Sequence, residues 1–187
     1  MGEHEIGRRA VFLDRDGVLN KSVVREGRPY PPRTLEEFEL YPDVKDGCAR
    51  LAAAGYLLVV VTNQPDIGRG TQSRDAVEVM HRKMLEALPQ IIRVDVCWHA
   101  GSDFGDPCDC RKPKPGMILR AAEELGIDRS RSFMIGDRWR DVDCGHEAGC
   151  RTVFIDRGYS EELRQLPDWK VKSFGEAVDV ILEAVPV

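Results

Sequence analysis

No stretch of this sequence approaches the roughly 18 apolar residues of a membrane span, and the leading MGEHEIGRRAVFLD has no long apolar run before its first strand-like segment. No membrane role is expected, and the chain reads as cytoplasmic. A positive balance is missing too: 27 basic against 32 acidic residues leave a net charge of −5. That does not suit a surface whose main task is gripping nucleic acid, although a small anion can still be held in a local positive pocket. There is no internal repeat, no low-complexity segment and no disulfide framework. Of six cysteines, Cys97, Cys108 and Cys110 crowd one loop beside His99, whereas Cys48, Cys144 and Cys150 are scattered among helix-like segments and read as small apolar packing groups. This distribution resembles a metal site more than a set of cross-links. At 187 residues the chain can bury one core but not two well-developed ones. A single domain spanning 1–187, monomeric, is expected.

What is present is an alternation. Ala10 to Leu13 and Tyr56 to Val61 are apolar and β-favouring, as buried parallel strands are, and between them Asp43 to Ala54 carries apolar residues at helical spacing up to Gly55. A helix is predicted around 72–88, a strand around 94–98 and a helix over 115–125 between Pro115 and Gly126. SFMIGD, a helix around 140–148, the strand RTVFI and an amphipathic helix near 174–184 complete the pattern. Strands alternating with helices predict a three-layer α/β fold on a mainly parallel sheet, with its site at the carboxyl ends of the strands. Residues 20–41, with Gly27, Pro29, Pro31 and Pro32, show no clean period and read as an irregular flap over those ends.

The first strand runs into Asp14-Arg15-Asp16-Gly17. Alone, two carboxylates two residues apart at a strand end could be an ordinary Asx turn. Their weight comes from company: Thr62-Asn63 closes the second strand, Lys112 precedes a later helix, and Gly136-Asp137 with Asp141 follows SFMI. Asp137 and Asp141 also suit the first turn of a helix, where negative charge is favourable. A second constellation is Cys97-x-His99 and, after eight intervening residues, Cys108-x-Cys110, immediately before Arg111-Lys112. Three thiolates and an imidazole make a complete tetrahedral set for structural zinc, with no position left open for catalysis. The intervening AGSDFGDP has turn chemistry and little apolar content, so an ion would cross-link what packing cannot. Reduced surface thiols or a disulfide are the bland alternatives, and a cytosolic setting disfavours the latter. His81 and His146 read as surface helix residues, and His4 as part of a loose terminus.

In this order, FLDRDGVLN, VVVTNQ, CRKPKPGM and MIGDRWRD resemble the four signatures of the haloacid-dehalogenase (HAD) phosphatase superfamily, from Val11 to about Asp156. The resemblance implies a Rossmann-like fold and a Mg²⁺-dependent hydrolysis of a phosphate monoester, in which a small phosphorylated metabolite is the partner. Asp14 would be the nucleophile, and Asp16 the acid for the leaving group and later the base for water. Thr62 and neighbouring amides would bind phosphoryl oxygens, and Lys112 would supply fixed positive charge. Mg²⁺ would rest on Asp14, the Asp16 carbonyl and Asp137, with Asp141 orienting either its waters or Lys112.

About 48 residues separate Asp14 from Thr62 and about 50 separate Thr62 from Lys112, which leaves no room for a lid domain. A lidless chain with this Cys/His loop resembles two groups within the superfamily, those acting on heptose 1,7-bisphosphate and those acting on histidinol phosphate. Asn20 after DRDGVL, and TNQ with IGRG, are closer to the first; another sugar phosphate stays open. That resemblance puts substrate contacts at Ser22 to Arg25, Thr62 to Pro65, Arg111-Lys112 and Arg138, with Arg69 supporting the loop or reaching the distal part of the substrate. Pro65-Asp66 departs from the small residue and glycine common there. Two rivals stand beside this reading: a phospho-accepting signalling receiver, which needs no Asp16 acid, and a DNA-end phosphatase, which needs a basic track.

Overall fold

The structure is a computed structural model that describes residues 7–184. Strand β1 (Ala10–Leu13) is buried along its whole length and sends alternate side chains to opposite faces. Val11 and Leu13 enter one apolar cluster, Ala10 and Phe12 the other. The same period-two division runs through β4 (Leu57–Asn63), with Leu58 and Val60 on the first side and Val59 and Val61 on the second. A strand apolar on both faces must be covered on both. Two short strands, β2 (Val23–Arg25) and β3 (Arg28–Tyr30), precede helix α1 (Val44–Ala53), and β4 is followed by a single turn, α2 (Pro65–Gly68), and by α3 (Arg74–Ala87). Then come β5 (Ile91–Cys97), α4 (Gly116–Leu125), β6 (Phe133–Gly136), α5 (Trp139–Ala148), β7 (Arg151–Ile155), β8 (Trp169–Val171) and α6 (Phe174–Glu183).

Six strands form one sheet in the order β5-β4-β1-β6-β7-β8, every pairing parallel. Residues of α1, α3 and α6 join the first cluster and residues of α4 and α5 the second, which gives the expected three layers. Each fully buried side chain of Phe12 or Leu58 size contributes about 1.5 to 3 kcal/mol, and these clusters fix the strands that carry the site. Because β1 has β4 on one side and β6 on the other, connections leave it in opposite senses, and a crevice opens at the carboxyl ends of these three strands.

The structure differs from expectation in four elements. The strand predicted from Val94 begins at Ile91, because its polar positions are those of an edge strand: Arg93 pairs with Asp95 at 2.7 Å and also with Glu124. The 20–41 segment contains the antiparallel hairpin β2–β3, turned through Glu26 (φ 50°) and Gly27 (φ 73°), too short for periodicity to reveal. Strand β8 and the turn α2 were not anticipated; Pro65 starts the latter at a position where a missing N–H costs nothing. Among the described residues no helix is long and apolar enough to cross a membrane. His4 lies outside the described residues.

Candidate active site

Three neighbouring strand ends bring polar groups together at the crevice. β1 delivers Asp14 and Asp16, β4 ends in Thr62 and Asn63, β6 leads into Asp137, and the first turn of α5 holds Asp141. Lys112 arrives from the loop before α4. Its ammonium is almost wholly buried and lies 2.9 Å from Asp14 Oδ1 and 2.7 Å from Asp141 Oδ1, while it donates to the Val61 carbonyl at 2.8 Å. Asn63 fixes the lysine backbone from both sides: Lys112 N–H donates to Asn63 Oδ1 at 3.1 Å, and Asn63 Nδ2 donates to the Lys112 carbonyl at 3.0 Å. Asp141 also accepts from the Arg138 N–H at 3.0 Å, so its carboxylate both caps α5 and orients Lys112.

Ligand oxygens of Asp14, Asp137 and Asp141 all lie within 4.8 Å of one another. Three carboxylates against one ammonium leave a buried excess of negative charge. Burial pushes the Asp14 carboxyl up to about 6 against the pull of Lys112, with Asp141 and Asp16 adding repulsion. Asp137 is pushed well above the usual carboxylate range, by burial first and then by Asp14 and Asp141. Burial alone would lower the Lys112 ammonium, yet Asp14 and Asp141 hold it above its ordinary value. Both Asp137 oxygens are buried without a hydrogen-bond partner. Groups buried in this way are normally paired or bound to a cation, so a hard divalent ion with oxygen ligands fits the cluster. Gly17 makes the close approach possible: its φ is +87°, and a Cβ there would collide with the Asp137 carboxylate.

Asp16 is held apart from this trio. Arg15, fully buried, reaches both of its oxygens through Nη2 at 2.9 Å; Asn20 Nδ2 donates to Oδ1 at 2.9 Å and Gln64 Nε2 to Oδ2 at 2.8 Å. The Gln64 amide also donates to Thr62 Oγ1 at 3.1 Å, which leaves the threonine proton free for a ligand. His81 corrects the expectation of a surface residue: its Nε2 is 3.0 Å from Arg15 Nη1, it is only 8% exposed, and burial and the arginine lower it to about 4. His146 is half-buried against the Leu166 carbonyl and Thr152 as well. The roles of these residues around Asp16 escaped the sequence reading: Gln64 stood within the stretch Thr62 to Pro65 assigned to substrate, and His81 reaches Asp16 only through Arg15. Arg15, lying between two aspartates, carried the one local signal.

The crevice, about 420 Å³, reaches from Asp14 and Asp137 past Ser22, Asn63, Pro65, Arg111 and Arg138 to the hairpin and the loop after β4. Arg25 is not among its lining residues; it stands exposed on β2 with its guanidinium over Tyr30. Arg138 forms an ion pair with Glu161. Arg69 is 3.5 Å from Asp66, stacks on Phe104 and reaches the Ala100 carbonyl, tying α2 to the neighbouring loop. Gly68 lets the two meet, since a Cβ there would run into the backbone of Trp98, His99 and Ala100.

That neighbouring loop holds the second cluster. Cys97 Sγ lies 3.7 Å from Cys108 Sγ and 3.7 Å from His99 Nδ1, and Cys110 Sγ lies 3.3 Å from the same nitrogen. All four ligand atoms fall within 4.8 Å of one another. The cysteine expectations for Cys48, Cys144 and Cys150 hold: all three are buried among apolar groups, and burial pushes each thiol up to about 12.

Comparison with known proteins agrees with this geometry. A family model described as HAD-hydrolase-like matches residues 109–177. The chain is 37% identical over 184 residues to the D-glycero-beta-D-manno-heptose-1,7-bisphosphate 7-phosphatase of Pasteurella multocida (strain Pm70), an alignment that covers 93% of this chain and 97% of that one. It is 35% identical over 167 residues to the D-glycero-D-manno-heptose-1,7-bisphosphate 7-phosphatase of Chlorobaculum tepidum, covering 82% and 81%. The crystal structure of D,D-heptose 1,7-bisphosphate phosphatase from B. bronchiseptica, complexed with magnesium and phosphate, superimposes with a TM-score of 0.76 at 27% identity over 95% of this chain and 99% of that one.

Proposed function

The chain belongs to the HAD-like phosphatases, and on that footing we propose that it hydrolyses the 7-phosphate of D-glycero-D-manno-heptose 1,7-bisphosphate, in surface-polysaccharide biosynthesis, through an aspartyl-phosphate on Asp14. The observation that carries the chemistry is the buried group of Asp14, Asp137 and Asp141 around Lys112, with both Asp137 oxygens unpartnered. The substrate rests on the relatives of that name, which align along most of the chain.

Asp14, Asp137 and the Asp16 carbonyl would hold Mg²⁺, with Asp141 in support. When bound, Mg²⁺ supplies positive charge that screens the nucleophile from the phosphate dianion. Lys112 adds a second positive charge and keeps Asp14 Oδ1 in place. An Asp14 oxygen attacks phosphorus as the bond to the sugar oxygen breaks, and Asp16 delivers a proton to that oxygen. Water then attacks the aspartyl-phosphate and gives its proton to Asp16. Both Asp16 oxygens are occupied by Arg15, Asn20 and Gln64, so Asp16 must turn from these donors to face a leaving group. Thr62, with its free hydroxyl proton, and nearby amides receive the phosphoryl oxygens. Ser22, Arg111 and Arg138 border the crevice where the sugar would lie.

Zinc is the ion assigned to Cys97, His99, Cys108 and Cys110. A tetrahedron with Zn–S near 2.3 Å has S···S edges of about 3.8 Å and slightly shorter S···N edges, close to the 3.7, 3.7 and 3.3 Å observed. Its role is structural, and a reducing cytosol suits these thiols.

The test is phosphate release, with Mg²⁺ and after EDTA, from both anomers of heptose 1,7-bisphosphate, histidinol phosphate, other sugar phosphates and a 3′-phosphorylated DNA end. A preference for a heptose bisphosphate of more than about tenfold in kcat/KM supports the reading. A higher kcat/KM for histidinol phosphate overturns the substrate, and no turnover of any monoester overturns the chemistry.

A further inference from the structure

A sugar bisphosphate brings two phosphoryl groups, each carrying a charge of about −1.5 to −2 near neutral pH, and only one can occupy the site around Asp14 and Lys112. The cations of the crevice divide by whether they already have a counter-charge. Lys112 is engaged by Asp14 and Asp141, Arg69 by Asp66, and Arg138 by Glu161. Among the described residues, Arg33, Arg111 and Arg140 also line the crevice and have no carboxylate partner. Arg140 is the most unusual of these. It lies in the first turn of α5 and its Nε is buried with no hydrogen-bond partner; burial, then repulsion from Arg138 and Arg111, outweighs the pull of Asp141 and Glu161 on its guanidinium. Arg111 itself makes only a long 3.5 Å contact to the His99 carbonyl. Two like charges at one wall of a polar crevice, one of them with an unsatisfied buried donor, are costly when empty, and a shared anion removes both costs.

Resting on the proposed reading, the geometry points to Arg140 as a specificity residue that receives, together with Arg111, the second phosphoryl group of a bisphosphate whose first is cleaved at Asp14. The neutralised Arg138–Glu161 pair next to it explains why Arg140, rather than its neighbour two residues earlier, has binding capacity to spare. The substrate class this selects is a sugar phosphorylated at two positions, and the same sugar with one phosphate loses the interaction.

The experiment compares heptose 1,7-bisphosphate with heptose 7-phosphate in the wild type, Arg140→Gln and Arg140→Lys. For Arg140→Gln, KM for the bisphosphate is expected to rise by more than tenfold, equivalent to about 1.4 kcal/mol, with kcat held within twofold and the 7-phosphate kinetics within twofold. Arg140→Lys should recover part of the loss by restoring the charge without the planar fork. Arg140→Gln with the wild-type preference intact, or equal losses on both substrates, overturns the role of Arg140 while leaving the bisphosphatase reading standing. A wild type that does not prefer the bisphosphate overturns the substrate reading and the distal site with it.

Discussion

The carboxylate cluster at the strand ends and the Cys/His cluster beside α2 each gather four charged or ligating side chains, but they are built in opposite ways. Asp14 and Asp137 follow strands whose side chains are buried on both faces, and the lysine among the carboxylates is gripped by Asn63. Packing sets that geometry, and an ion would relieve the charge that packing concentrates. In the loop, Ser102, Asp103, Phe104 and Gly105 are all exposed, and Ala100 N–H to Asp106 is one of the few bonds that organise it. There, on the proposed reading, an ion on the ligands would stand in for a core the sequence does not provide. One cluster is then a consequence of the fold and the other a cause of local folding, which would give chemistry to the first and shape to the second.

This contrast can be broken experimentally. The largest effect is expected from Asp14→Asn, which removes the nucleophile and should lower kcat by about 10⁴-fold or more while circular dichroism shows the fold intact; wild-type-like turnover would end the mechanism. Asp16→Asn should also nearly abolish turnover, and a burst of phospho-enzyme in rapid quench would show whether the leaving-group step or the hydrolysis step suffers more. EDTA should lower activity by about 10³-fold or more, with restoration by Mg²⁺ alone while the zinc content of the Cys/His loop stays constant. Cys108→Ala should sharpen the comparison from the other side. It should lower the midpoint by about 5 to 10 °C and raise KM several-fold with kcat less affected, and stoichiometric zinc with unchanged kinetics would reject a shaping role.

The smallest effect concerns His81. Its folded value lies near 4, below the ordinary 6.5. The unfolded chain therefore takes up a proton that the folded chain refuses, and stability is lost as pH falls from about 6.5 toward 4, by up to about 3 kcal/mol. Denaturant titrations of wild type and His81→Gln across that window should show a shallower fall in the variant.

Legibility in the sequence follows the same division. β1 and β4 could be read because continuous apolar runs are what a strand covered on both faces requires, and the Cys/His set because its spacing is local. Asp14, Lys112 and Asp137 could be linked only through their order along the chain, yet the sheet brings them to one end. The hairpin escaped because three-residue strands have no measurable period; its signal was Gly27 after the β-branched pair Val23-Val24. The support of Asp16 by Gln64, and of Arg15 by His81, escaped because these partners are separated by 48 and 66 residues and nothing in any one segment announces the others. Arg25, assigned to the substrate, ends β2 in solvent with Val24 exposed beside it, because this two-stranded hairpin packs nothing over that end.

Gly68 has a bearing on ancestry. With no side chain there, α2 rests directly on the backbone of Trp98, His99 and Ala100, so the loop after β4 and the Cys/His loop cannot drift independently. A lineage that enlarges residue 68 must retract or rebuild the other loop in the same interval, and a chimera that takes one loop from a relative without the other inherits a collision. The two segments, about thirty positions apart in the chain, are sterically bound to change together.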